Sequence, residues 1–429
     1  MTPTGLPSVP VPPCGCPDYE SSSVSRRHLM RLATAAGLVT ATTLSDARVA
    51  FAAPAATSGD VLVVLSLRGG FDGLSAVAPI GDPGYARARP GIAVPAATAK
   101  KVDATFGLHP ALAPLFPLWD DGTLAAVHAV GQKDPTRSHF EAMAQMERAA
   151  PGTSLRDGWI DRTVGLSAAA SAFTAAQVGS PALPSSLLGD APKMAIGSLA
   201  GLKVDVDPEL VPMSAWRNAF DHLHAGTRAE IRDPLHNAMD AVSRIQALPE
   251  AGDVGALGYP DNQLGNAFHD VARLVRADLG LRYATVDYGN WDMHENVGGV
   301  DGGWMTNQLG DLAKTLAAFA AELGPDLGRV TVVTLSEFGR RVGQNGSYGL
   351  DHGHGNAVLL LGGGVRGGRV YGRWPGLSPA NLDAGDLAAT TDYRDVIGEI
   401  LTKRCGVGSL TKVFPGLAHR PLGLAAATA

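Results

Sequence analysis

The sequence places carboxylates, imidazoles and one hydroxyl just beyond short apolar runs. Asp72 follows "VLVVLSL" in "RGGFDGLS", and Arg137, Ser138 and His139 follow "LAAVHAVG" in "QKDPTRSHFEAM". Asp292 and His294 follow "RYATVDYG", Glu337 follows "VTVVTLS", and "GLDHGHGN" brings Asp351, His352 and His354 to the start of "AVLLLGG". Carboxylate oxygens mixed with imidazole nitrogens suit Zn²⁺, Mn²⁺ or iron, whereas Mg²⁺ or Ca²⁺ alone prefers an all-oxygen shell. Two such ions about 4 Å apart can hold both the attacking and the leaving oxygen of an ester displacement. Ser138, at the expected start of a helix, is the natural nucleophile, because a metal lowers its pKa and the helix end favours the anion formed.

Each of these residues also has an ordinary structural role. Asp72 suits a glycine-bounded turn, and Ser138 suits an N-cap with Glu141 completing a capping box. Glu337 could pair with Arg340 or Arg341, and the His352/His354 loop could bond to itself. Their shared location carries the weight, since ligands of open α/β sheets sit beyond the carboxyl ends of the strands.

The apolar runs are rich in Val, Leu and Ala, as in strands buried on both faces of a mostly parallel sheet. Helices are expected over Ser138 to Ala149, Trp216 to Leu248, Asn262 to Leu279, Met305 to Leu323 and Thr391 to Leu401. Strands alternating with helices predict a three-layer α/β/α sandwich in a single domain over 60–429. A β/α barrel is the alternative, disfavoured by irregular strand spacing. Residues 181–261 carry fewer strand signals and read as an insertion that caps or flanks the sheet.

A net charge of −6 offers no basic face to nucleic acid. "GGGVRG", Gly362 to Gly367, fits a dinucleotide fingerprint formally, but "GRVYGRWPG" follows where a helix would be needed, so it reads as a hairpin turn. No phosphate-binding P-loop motif occurs.

Ser25, Arg26 and Arg27 precede a weakly apolar run, Leu32 to Leu44, and Ala50-Phe51-Ala52 offers a cleavage site. This resembles a twin-arginine export signal over residues 1–52. It implies passage through the twin-arginine translocase to the periplasm or beyond, with no permanent membrane anchor, the run being short for a span. Cleavage would remove Cys14 and Cys16 and leave Cys405 alone, so the mature chain would hold no internal disulfide.

"LRGGFDGLS", "TRSHFEAM", "WDMHEN", "VTLSEFGR" and "DHGHGNAVLLLGGGVRGGRVYG", together with the leader, resemble the domain-of-unknown-function 1501 family of exported bacterial proteins. That family is related to the alkaline phosphatase and sulfatase superfamily. The resemblance implies an alkaline phosphatase-like fold and a divalent metal site of one or two ions, Zn or Mn, with Ca as a further option. Asp72, Asp292, His294, Glu337 and either His352 or His354 would be ligands, Ser138 the nucleophile, and Arg137 or Arg340 the oxyanion clamp. Glu337-Phe338 stands where many relatives have Asp-His, removing one imidazole. The implied function is hydrolysis of a phosphate or sulfate ester, of a small molecule or a glycan. The alternative is a non-catalytic exported relative that binds a glycan or another exported protein.

Overall fold

In the computed structural model, strand β1, Val61–Leu67, is buried along its whole length. Val61, Val63, Leu65 and Leu67 point into one hydrophobic core, while Leu62 and Val64 point into another. Period-2 alternation with apolar residues on both faces requires a covering layer on each side. The structure describes residues 59–167, 170–202, 241–249 and 252–428, with positions 218, 222, 223 and 226. The leader lies outside them, as does most of the helix expected from Trp216; residues 241–246, near its end, are helical. No helix of the described residues is long and apolar enough to cross a membrane.

The main sheet adds β2 (Leu124–Gly131), β3 (Ala175–Val178), β4 (Met194–Ile196), β5 (Tyr283–Tyr288), β6 (Val330–Leu335), β7 (Asn356–Gly362), β8 (Val370–Tyr371) and β9 (Thr391–Asp392). Its order is β8-β2-β7-β6-β1-β5-β3-β4, with β9 also on β2. Every pairing is parallel except those of β7, which runs antiparallel to β2 and β6. Reversal of β7 brings its beginning to the edge where β1, β2, β5 and β6 end.

Helices α1 (His139–Arg148), α2 (Trp159–Val164) and α5 (Tyr393–Lys403) pack on the Leu62/Val64 face. Helices α3 (Gln263–Arg276) and α4 (Trp304–Leu323) cover the other. The result is the three-layer α/β/α sandwich that strand–helix alternation predicts. Truncating a core residue such as Leu62 to Ala should cost about 2–5 kcal/mol.

Two readings change. The segment after β7 is not a hairpin: β8 pairs with β2 rather than β7, and the connection wraps the start of β2 through Gly367 N–H to Gly122 O and Gly368 N–H to Leu124 O, both 2.9 Å. The 181–261 region also contributes β4, which joins the main sheet beside β3.

Candidate metal centre

Four side chains from two loops and one helix meet at the strand ends. His139 opens α1, Asp292 and His294 follow β5, and His352 precedes β7. The Nε2 of His352 lies 2.9 Å from the Nε2 of His139, 2.9 Å from that of His294 and 3.2 Å from Asp292 Oδ1. Asp292 Oδ1 in turn lies 3.4 Å from His139 Nε2 and 3.0 Å from His294 Nε2.

Each imidazole is oriented from behind by an oxygen that can only accept a hydrogen bond. His139 Nδ1 donates to Glu337 Oε1 at 2.7 Å, His294 Nδ1 to Asp351 Oδ1 at 3.2 Å, and His352 Nδ1 to the Arg137 carbonyl at 2.8 Å. In the neutral rings the hydrogen is therefore on Nδ1 and the lone pair on Nε2. Three ring lone pairs and one carboxylate oxygen then face one another at close range. A divalent cation fits this donor set: neutral imidazole nitrogens, one carboxylate, and an outer ring of acceptors fixing each tautomer. Among the described residues, His139, Asp292 and His352 each place a ligand atom within 4.8 Å of the others.

The electrostatics hold the carboxylate ionised and divide the rings. Burial alone would raise Asp292, but Arg340, donating to Oδ1 at 2.7 Å, and the neighbouring histidines bring it down to about 2. The Glu337 hydrogen bond raises His139, while burial lowers His352 against the partial offset of the Arg137 carbonyl. Access is uneven: Asp292 and His294 are 47% and 45% exposed, His139 and His352 28% and 21%. Asp292 and His294 thus form the open rim of the cluster, with His139 and His352 deeper.

The scaffold is held by close backbone approaches. Gly69 and Gly70 carry positive φ of 109° and 68°, and a Cβ on Gly69 would meet the Asp292 amide nitrogen at 2.7 Å. Gly69 N–H donates to Glu337 Oε1 at 2.8 Å, so this carboxylate ties the β1 loop to α1. Phe338 packs against the rings of His139 and His352, with centroids 4.8 Å apart in both pairs.

Several residues marked in the sequence sit elsewhere or act from behind. Asp72 is fully buried in a two-pronged ion pair with Arg89, its Oδ1 2.9 Å from one guanidinium nitrogen, so its oxygens are committed away from the cluster. Glu337 stands behind His139 rather than in the inner set. His354 donates from Nε2 to the Gln132 carbonyl at 2.8 Å, leaving His352 as the histidine of that pair that joins the cluster. Arg340 is 1% exposed and donates to Gly70 O at 2.7 Å, Leu350 O at 2.8 Å and Trp291 O at 2.9 Å; a buried staple across three loops cannot also clamp a ligand. Arg137 is half exposed and paired with Asp386 at 2.7 Å. Ser138 is exposed and caps α1, its Oγ accepting from Glu141 N–H at 3.4 Å. His139 is the inner residue the sequence reading passed over in favour of its neighbour. Its signal was present: a histidine in the first turn of a helix whose cap is already supplied by serine.

Residues 271–398 match a family described as a protein of unknown function. The family model this segment matches is DUF1501. It carries Asp292, His294, Arg340 and His352, so three of the four converging side chains lie inside the DUF1501 match and His139 lies outside it. Among solved structures, the chain is similar to a candidate sulfatase from Bacteroides thetaiotaomicron, at 10% identity over 86% of this chain and 74% of that one, with a TM-score of 0.31. It is likewise similar to the phosphonate monoester hydrolase of Agrobacterium radiobacter, at 12% identity over 84% and 79%, with a TM-score of 0.32. Superpositions this loose assign no role to any residue here. No curated protein matches the chain by sequence.

Proposed function

We propose that this chain is an exported, metal-dependent hydrolase of phosphate or sulfate esters. The observation that carries the reading is the convergence of His139, Asp292, His294 and His352, each ring aimed by an oxygen behind it. Three nitrogens and one oxygen favour Zn²⁺ or Mn²⁺ over Ca²⁺. Bound there, such an ion would supply Lewis acidity toward an ester oxygen and ease deprotonation of a nucleophile.

The chain's own groups supply position. Glu337, Asp351 and the Arg137 carbonyl hold the Nδ1 hydrogens, which keeps every Nε2 turned to the centre. Arg340 keeps Asp292 ionised. Ser138, solvent-exposed and one residue before His139, is the nucleophile of this reading. Its Oγ would bond to phosphorus or sulfur as the bond to the ester oxygen breaks and the hydroxyl proton goes to the leaving alcohol, and water would then release phosphate or sulfate and restore the serine. The arginine pair of the leader supports the exported location.

The test is hydrolysis of aryl phosphate and aryl sulfate by protein loaded with Zn²⁺ or Mn²⁺. His139→Ala should abolish turnover, and Ser138→Ala should lower it by several orders of magnitude while retaining metal. Wild-type turnover no higher than that of His139→Ala would point to recognition rather than catalysis.

A further inference from the structure

On the opposite helix layer, His269, Arg273 and Arg276 stand at i, i+4 and i+7 of α3, which aligns them along one stripe of the helix. His269 packs against Glu322 of α4. Its Nδ1 lies 3.0 Å from Oε1 and 3.1 Å from Oε2, and the Tyr259 hydroxyl donates to Oε2 at 2.6 Å. The carboxylate fixes the Nδ1 hydrogen. The other ring nitrogen, Nε2, is buried with no hydrogen-bond partner, in a residue only 4% exposed. Buried polar atoms are rarely left this way, because each costs roughly 1–3 kcal/mol.

His269 lines a pocket of about 490 Å³, a size typical of small-molecule sites. Arg273 and Arg276 also line it, together with Leu248, Leu257 and Ala277. Arg273 is partly committed, donating to the Pro249 carbonyl at 2.8 Å and leaning on Asp270 at 3.4 Å. Arg276 is exposed and has no such partner among the described residues. Leu257, 41% exposed, adds apolar surface to the mouth.

We propose that this pocket binds an amphipathic carboxylate. The anionic head would accept from the Arg276 guanidinium beside His269, whose ring Glu322 holds from behind. The hydrocarbon part would lie against Leu248, Leu257 and Ala277. A bare oxyanion leaves those walls wet, and an uncharged alcohol leaves the guanidinium unpaired. The metal centre takes no part.

The experiment is calorimetric titration of the purified protein with octanoate, with octanol and inorganic phosphate as comparison probes. Saturable binding of octanoate at one site is expected, at least tenfold tighter than either comparison probe and weakened at least tenfold by Arg276→Gln. That position is exposed, so the variant should melt like the parent. Lack of saturation into the millimolar range, phosphate binding as tightly as octanoate, or indifference to Arg276→Gln would each overturn the proposal.

Discussion

The Nε2 atoms of His139 and His352 lie 2.9 Å apart, and both rings have their Nδ1 hydrogens committed elsewhere. Two lone pairs at that separation repel unless a positive centre lies between them. The first expectation follows directly. Purified protein should take up one Zn²⁺ or Mn²⁺ per chain, and ligand at a hundred times its Kd should add about 2.7 kcal/mol of stability. His352→Ala should lose both effects. Metal-free protein whose Tm ignores both ions would contradict the centre, as read by elemental analysis and thermal melts.

Glu337 acts through His139, so its removal should weaken the ion without preventing binding. Glu337→Gln is expected to lower metal affinity by about 10–100-fold, measured by chelator competition, with a smaller loss than His139→Ala. Equal losses in the two variants would place Glu337 in the inner set.

Asp72 and Arg89 should behave oppositely. Asp72→Asn leaves the buried guanidinium uncompensated and should cost about 3–5 kcal/mol in urea unfolding, with metal content unchanged in the folded fraction. Loss of metal without loss of stability would restore Asp72 as a ligand.

His128 makes stability depend on pH. Its Nδ1 accepts from Ala129 N–H at 2.9 Å, its Nε2 lies 3.0 Å from the Val77 carbonyl, and burial lowers it to about 4 from an ordinary 6.5. The folded form stays neutral while the unfolded form gains a proton below about pH 6.5, so this contribution is full above 6.5 and is lost as pH falls toward 4. His128→Asn should be less stable at neutral pH but show a shallower decline between those limits. An unchanged slope in urea unfolding across that range would refute the assignment.

Replacing Arg26 and Arg27 by Lys should hold the precursor in the cytoplasm with its fold intact. Cleavage near Ala52 in cells lacking the twin-arginine translocase would refute the export reading. These positions lie outside the described residues.

The central strands could be read directly because β1, β2, β5, β6 and β7 are apolar on both faces, and the helix starts because Ser138, Asn262 and Asp392 cap as their residue types allow. The edge strands were not legible: β8 and β9 are two residues each, with no period to detect. The rim location of the chemistry could be read, but not which carboxylate touches what. That depends on partners far along the chain. Asp72 is taken by Arg89 from "YARARPG", a stretch without any metal signature, and Glu337 is separated from the centre by the ring of His139.

The reversed strand β7 has a consequence for the order of assembly. It delivers His352 to a rim whose other members come earlier in the chain, closing a contact with His139 across 213 residues. Such a contact forms late, because long-range pairing must first overcome loop-closure entropy. The nascent chain would present His139 long before His352 leaves the ribosome, and only a docked central sheet brings them together. Uptake of an ion at the proposed centre would therefore report a finished fold, and a chain arrested before His352 would lack both that histidine and β7, from the middle of the sheet.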